Sequence, residues 1–408
     1  MDKPAILGGV PVTKEPIPFT KIIMTNDEKK AVEDVIRSKI FVNGKYTKML
    51  EKEFARYISV KHAIAVSNGT DALFLSYLAL GIGFNDKVIT TPLSFIATVS
   101  SIMHSGAIPI FADVKLDGNL DPDSVSQVQD DFSAITIVHL YGKPADMRDF
   151  LQIAHEHNAY IIEDAAHAHG AEYDGKKIGS FGDIAAFSLY PSKIIAAGGW
   201  GGIITTNNDE ISEKLRLLRA HGELKVIKGA EFSYQYIRLG YNMRISEIEA
   251  AIAYHQLKKL DSFIKVRRSA AKKLTDLLEN IPGITLPSEE PNKKHVYYIY
   301  CILIDPNITG WSRNKFVEAL NAEGICARKG YHIPIHKTIL MQYVSDPRKN
   351  HFARIVRYPN YSKTSLPTAE LLANRMIWLP LYPGIKDTEI EKIAIAIKRL
   401  IKWRNRNI

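Results

Sequence analysis

Between residues 62 and 207, short β-branched and apolar runs alternate with helical stretches. The runs are HAIAVSNG (62–69), which ends in turn residues, KVITT (87–91), AIPIFADV (107–114), AITIVHLYG (134–142), AYIIEDAA (159–166), DIAAFSLY (183–190) and GIITTN (202–207). Between several of them lie segments of helical pattern: TDALFLSYLAL (70–80), SFIATVSSIMHSG (94–106) and MRDFLQIAHEHN (147–158). A strand that is one continuous apolar run is buried on both faces, and parallel strands need helical crossovers between them. The pattern predicts an α/β fold with a mainly parallel, seven-stranded-type sheet covered on both sides. Ligands bind such sheets at the carboxyl ends of the strands, so the residues that carry chemistry are expected there.

Beyond residue 246 the pattern changes. A long helical stretch with a break fills 245–281, HVYYIYCILID (295–305) reads as a strand, RNKFVEALNAEG (313–324) as a helix and IEKIAIAIKRLIKW (390–403) as a closing helix. This predicts a smaller α+β domain at the C-terminus. The expected division is an arm over 1–25, a large domain over 26–250 and a small domain over 251–408, and 408 residues suit two domains. The first helix is expected over 26–38, with Asn26 or Asp27 near its cap.

No apolar run is long enough to span a bilayer, and MDKPAILGGVPVTKEP lacks the apolar core of a secretory signal. A cytoplasmic protein without membrane contact is the expectation. Two cysteines, Cys301 and Cys326, and no CxxC make a disulfide framework or a cysteine zinc site unexpected, and no metal is predicted. The net charge is +9, part of it in the tail IKRLIKWRNRNI (397–408). That tail reads as a solvated helix, because no recognition motif or aromatic-interleaved basic stripe accompanies it, and no nucleic-acid partner is expected.

Four unusual features fall at strand ends. SNGTDAL (67–73) places Gly69 and Thr70 at a helix start, where free N–H groups and the helix dipole favour a phosphate. Asp164 ends IIED (161–164), at the close of a hydrophobic strand, where a carboxylate is costly without a partner. Lys193 follows DIAAFSLY in a stretch otherwise small and apolar, and Ser188 lies five residues before it. Taken singly, these are a helix cap, a structural acid and a surface lysine. A lysine in a dry setting favours its neutral amine, which attacks carbonyls to form a Schiff base. Together the features match pyridoxal 5'-phosphate, which needs a phosphate cradle, an acid for its ring nitrogen and a lysine for its aldehyde. Phe95, after the KVITT run, is a candidate to stack on the ring, and equally a core aromatic.

The segment EDAAHAHGAEYDGKKIGSFGDIAAFSLYPSK (163–193) closely resembles the DegT/DnrJ/EryC1/StrS family, sugar aminotransferases of aspartate-aminotransferase fold. So do SNGTDAL, 92–114, VHLYGKPADM (138–147) and GYNMRISEIEAAIA (240–253). The resemblance runs in order from near 25 to near 400. It implies that Lys193 carries the Schiff base, Asp164 pairs with the pyridinium nitrogen, and His167 sits near the phenolic oxygen. Gly69, Thr70 and Ser188 would hold the phosphate and Phe95 would stack. Asn242, in the family's G-x-N-x-R pattern, would reach the neighbouring subunit's cofactor, which implies a homodimer with shared active sites. Tyr141, His221, Lys225 and His336 are candidates to face the substrate. The implied reaction moves an amino group from L-glutamate (or glutamine), through pyridoxamine phosphate, to a keto sugar. A nucleotide-linked 4-keto-6-deoxyhexose is the leading acceptor; a 3-keto sugar or keto-cyclitol is the alternative, and a non-catalytic regulator of the same fold is the rival of another class. One departure stands out: where the family commonly has an acid in a G-[DE]-G-G run, this chain has GGWGG (198–202), with Trp200 at or near that place.

Overall fold

The computed structural model describes residues 3–228 and 231–406. Seven strands form the main sheet, in the spatial order His62–Val66, Gly202–Thr206, Ile184–Ser188, Tyr160–Asp164, Ala134–Val138, Lys87–Thr90 and Ile108–Phe111. All pairings are parallel except the two made by Gly202–Thr206, which runs against both neighbours. The expected mainly parallel sheet is thus present, with one reversed strand near its edge.

The period-2 geometry of a strand sends successive side chains to opposite faces. Ile64, Val66, Ile184, Ala186 and Ile204 pack on one face with Leu73, Leu75 and Tyr77 of helix Gly69–Leu80. Their neighbours Ala63, Ala65, Ala185, Phe187 and Ile203 pack on the other, with Leu50 and Phe54 of helix Lys45–Ile58. Both faces are dry, which is why these strands read as unbroken apolar runs.

The first helix is Asn26–Ser38, and its cap is Thr25, one residue earlier than the sequence suggested. Thr25 and Glu28 form a capping box, an arrangement that satisfies two otherwise orphaned N–H groups. The 245–281 stretch is two helices, Glu247–Leu257 and Leu260–Leu278. Ala250, Ala253, Leu257, Phe263 and Ile264 belong to the large core, whereas Ala270, Leu274 and Leu278 belong to the small one. The change of core therefore falls within the second helix.

The small core is covered by a four-stranded antiparallel sheet in the order Ile284–Thr285, Tyr300–Ile304, Met376–Leu379, Arg328–Lys329. The N-terminal arm lies on this unit: Ile17 bridges to Ile325, and the N–H groups of Ala5 and Val12 donate to the buried Glu323 carboxylate at 2.9 and 3.0 Å. The 295–299 part of the predicted strand is irregular, since Tyr297 has φ +48°. Among the described residues no helix is long and apolar enough to cross a membrane.

Candidate active site

Three strands bring their ends to one edge of the sheet. Val66 and Ser188 both pair with Gly202, and Asp164 pairs with Ala186, two residues before Ser188. Just past Val66 the chain turns into helix Gly69–Leu80, whose cap is Asn68; its side chain accepts the Asp71 N–H at 2.8 Å. A Cβ on Gly69 would lie 2.7 Å from Cβ of Ser188, and one on Gly202 would lie 2.3 Å from the Asn68 carbonyl oxygen. Only glycine lets the helix start come this close to the strand ends. The close approach sets the first turn of a helix, with Thr70, against the strand end that carries Ser188, and free N–H groups at such a start favour an anion.

Beside it lies a carboxylate. Asp164 is 5% exposed, and accepts hydrogen bonds from Thr98 Oγ1 at 2.7 Å and from the Ala166 N–H at 3.2 Å. Thr98 is fully buried near the start of helix Ala97–His104; since it donates to Asp164, the Ser94 hydroxyl 2.7 Å away donates to it. Burial raises the Asp164 pKa, and Thr98, Ala166 and the charges of Lys193 and His139 pull it back. Among the described residues no cation comes within ion-pair distance of Asp164. A buried carboxylate supplied only with neutral donors is an electrostatic deficit that a bound cation would fill.

Lys193 follows a tight turn, its N–H donating to the Tyr190 carbonyl at 2.8 Å. Ile194 to Ala197 are buried as the sequence suggested, but Lys193 itself is half-buried. Its Nζ lies 4.9 Å from the ring centroid of Tyr298. His167 is buried, with its ring 4.5 Å from that of Tyr298. Burial, aided by the Lys193 charge, lowers the His167 pKa well below the ordinary value, so the ring is neutral. Its Nδ1 accepts the Tyr141 N–H at 3.4 Å, which places the ring proton on Nε2.

Asp164, His167 and Lys193 are thus brought together, and Gly69 lies against Ser188 at the adjoining strand ends, with Thr70 next along the helix. Phe95 is 62% exposed, three residues before Thr98 in the loop that leads into its helix. Asn242 is exposed and bridges to Ala220; its Oδ1 accepts from Arg244 at 2.9 and 3.1 Å.

Two substrate candidates are buried in the structure. Tyr141 is 4% exposed, because its left-handed backbone (φ +58°) folds the side chain into the core, where the hydroxyl donates to Met376 Sδ at 3.2 Å. His336 is fully buried, near Phe111, with Nε2 3.3 Å from Glu370. His221 is exposed at the turn into the hairpin Glu223–Lys228/Glu231–Tyr236. Lys225 has its backbone in that hairpin, and its side chain lies outside the described residues. Sequence reasoning missed Thr98 and Tyr298. Thr98 had a faint signal, a hydroxyl just after a strand end in TPLSFIAT; Tyr298, from the small domain, had none.

Trp200 is 62% exposed, and its N–H donates to Glu249 at 2.7 Å. A carboxylate from the neighbouring helix therefore serves the loop whose expected acid is replaced by tryptophan.

A family model described as the DegT/DnrJ/EryC1/StrS aminotransferase family matches residues 23–398. The chain belongs to this family. It is 32% identical to the spore coat polysaccharide biosynthesis protein SpsC of Bacillus subtilis, over 95% of this chain and 97% of that one. It is 34% identical to a UDP-N-acetyl-3-dehydro-alpha-D-glucosamine 3-aminotransferase of Acidithiobacillus ferrooxidans, over 88% and 90% of the two chains. The structure of Helicobacter pylori PseC, an aminotransferase of pseudoaminic acid biosynthesis, superposes with a TM-score of 0.86 at 27% identity, over 95% of this chain and all of that one. DegT/DnrJ/EryC1/StrS proteins of this kind are pyridoxal-phosphate-dependent sugar aminotransferases of the aspartate-aminotransferase fold, and this chain is a transaminase of that type.

Proposed function

We propose that the protein transfers an amino group from L-glutamate to a nucleotide-linked keto sugar, using pyridoxal phosphate held at the edge just described. The observation that carries this reading is Asp164, a buried carboxylate with no cation partner among the described residues, beside a half-buried lysine and a helix start that Gly69 brings against Ser188. The residues fit the cofactor. Gly69, Thr70 and Ser188 would hold its phosphate, Asp164 would keep its ring nitrogen protonated and Phe95 would cover one face. When bound, the cofactor supplies an electron sink and a carrier for the amino group. Lys193 would be the covalent attachment point, and once freed its Nζ would take a proton from the donor's Cα as base and then give it up as acid. His167, neutral with its proton on Nε2, would be the donor to the cofactor's phenolic oxygen.

The acceptor reading rests on the family and on the UDP-linked 3-dehydro sugar in one relative's name. Asn242, exposed, and Arg244, half-buried against it, are proposed to serve the partner subunit's cofactor in a homodimer. Mixing Lys193→Ala with Asn242→Ala protein should then restore activity that neither shows alone, up to about a quarter of wild type; no recovery contradicts shared sites. The reaction itself is tested by adding L-glutamate to the yellow, cofactor-loaded protein. The visible band should bleach with release of 2-oxoglutarate, and nucleotide-linked 4-keto-6-deoxy or 3-keto sugars should restore it with an aminated product seen by mass. A band that no amino donor bleaches contradicts transamination.

A further inference from the structure

Tyr298 lies on the approach to strand Tyr300–Ile304 of the small domain, yet it touches the large-domain site at three points. Its ring centroid is 4.9 Å from Lys193 Nζ and 4.5 Å from the His167 ring, and its hydroxyl is 3.2 Å from Ser192 Oγ. A cation within about 6 Å of an aromatic face is attracted by the ring quadrupole.

This placement is set from behind by two costly features at one peptide. Tyr297 adopts φ +48°, a left-handed conformation unusual for a bulky side chain. Arg267 is 1% exposed, and its Nη1 donates to the carbonyls of Tyr297 and Tyr298 at 3.2 Å and of Leu381 at 3.0 Å. No carboxylate among the described residues pairs with it. Burial pushes its pKa down to about 10, so it remains charged at neutral pH. A lone buried guanidinium is expensive to keep, and it is spent on the two carbonyls that flank the Tyr297–Tyr298 step.

We propose that Tyr298 is a positioning residue for Lys193, supplied by the small domain and held in place by Arg267. The ring restrains the lysine amine, and the hydroxyl ties the Ser192 turn that leads into Lys193. This inference rests on the reading of Lys193 as proton carrier.

The test compares wild type with Tyr298→Phe, which keeps the face, and Tyr298→Leu, which removes it. In the cofactor-free protein, Lys193 is labelled by reductive methylation and followed by peptide mass. Release from the ring should speed labelling of Lys193 in the leucine variant by about 3- to 30-fold, the span of such contacts. The phenylalanine variant should stay within about twofold of wild type. Lys143, paired with Asp117 and Glu290 and nearly buried, should stay protected in all three and reports the fold. In the loaded enzyme, single-turnover kcat with L-glutamate should fall by a similar factor in the leucine variant, with KM unchanged and rescue in Tyr298→Phe. Equal labelling in all three proteins, or a phenylalanine variant as impaired as the leucine one, overturns the proposal. If Lys143 becomes labelled in Tyr298→Leu, Tyr298→Gln carries the same expectation. If the labelling behaves as expected but cofactor never attaches to Lys193, the proposed function fails while the contact stands. If cofactor attaches to Lys193 and the leucine variant matches wild type in every readout, only the Tyr298 inference fails.

Discussion

Replacing Asp164 by asparagine separates what the carboxylate costs the empty protein from what it gives the loaded one. In the empty protein the carboxylate is 5% exposed and has only neutral hydrogen-bond donors, Thr98 at 2.7 Å and Ala166 at 3.2 Å. Burial raises its pKa above the ordinary 3.8. The folded chain therefore holds this proton to higher pH than the unfolded chain does. The group's contribution to stability is fully present below pH 3.8 and is lost as pH rises through the folded pKa. At pH 7 the cofactor-free protein carries that deficit. Asparagine removes it without orphaning a neighbour: its oxygen can accept from Ala166, and its amide can donate to Thr98, whose hydroxyl can turn towards Ser94. Cofactor-free Asp164→Asn should therefore melt at or above the wild-type temperature at pH 7, by roughly 1–2 °C for about 1 kcal/mol. It should also lose wild-type pH dependence in the window just above 3.8. With cofactor the sign reverses. A charge-assisted hydrogen bond contributes about 1.5–3 kcal/mol, so pyridoxal phosphate should bind about 10- to 150-fold more weakly. Paired melts over pH 4–8 and a fluorescence titration with cofactor measure both halves. A cofactor-free variant clearly less stable than wild type at pH 7, or one that binds cofactor normally, refutes the reasoning.

Further outcomes follow from the same geometry. Gly69→Ala puts a carbon 2.7 Å from Ser188 Cβ, where contact is optimal near 3.5–4.0 Å, so helix and strand must part by about 1 Å at a cost of about 1–3 kcal/mol. A titration should show cofactor affinity down by about tenfold, with the fold retained in a melt. Arg267→Met leaves three carbonyls without their donor and should lower stability by about 1–3 kcal/mol in urea denaturation; an unchanged midpoint would remove Arg267 from the account.

The parts legible in the sequence are those fixed by local pattern. Alternation of β-branched runs with helices gave the sheet, because doubly covered strands must be apolar throughout, and turns after strands gave Gly69, Asp164 and Ser188. Residues brought in by long-range packing were not legible. Tyr298 reaches Lys193 only through a left-handed Tyr297 and a buried Arg267, and no spacing rule connects 193, 267 and 298. The burial of Tyr141 and His336 was hidden for a related reason: polar tips on flat rings suit both a sugar cleft and an aromatic core, and packing set both in the interior. The reversed strand Gly202–Thr206 was also hidden, since a buried strand looks alike in either direction.

The central claim is that one lysine, Lys193, bonds the cofactor. Borohydride reduction of the loaded protein, followed by proteolysis and peptide mass, reads this directly. The account predicts a single modified peptide bearing reduced pyridoxyl phosphate on Lys193, and none in Lys193→Ala. Modification fixed on another lysine, or retained in Lys193→Ala, would contradict it.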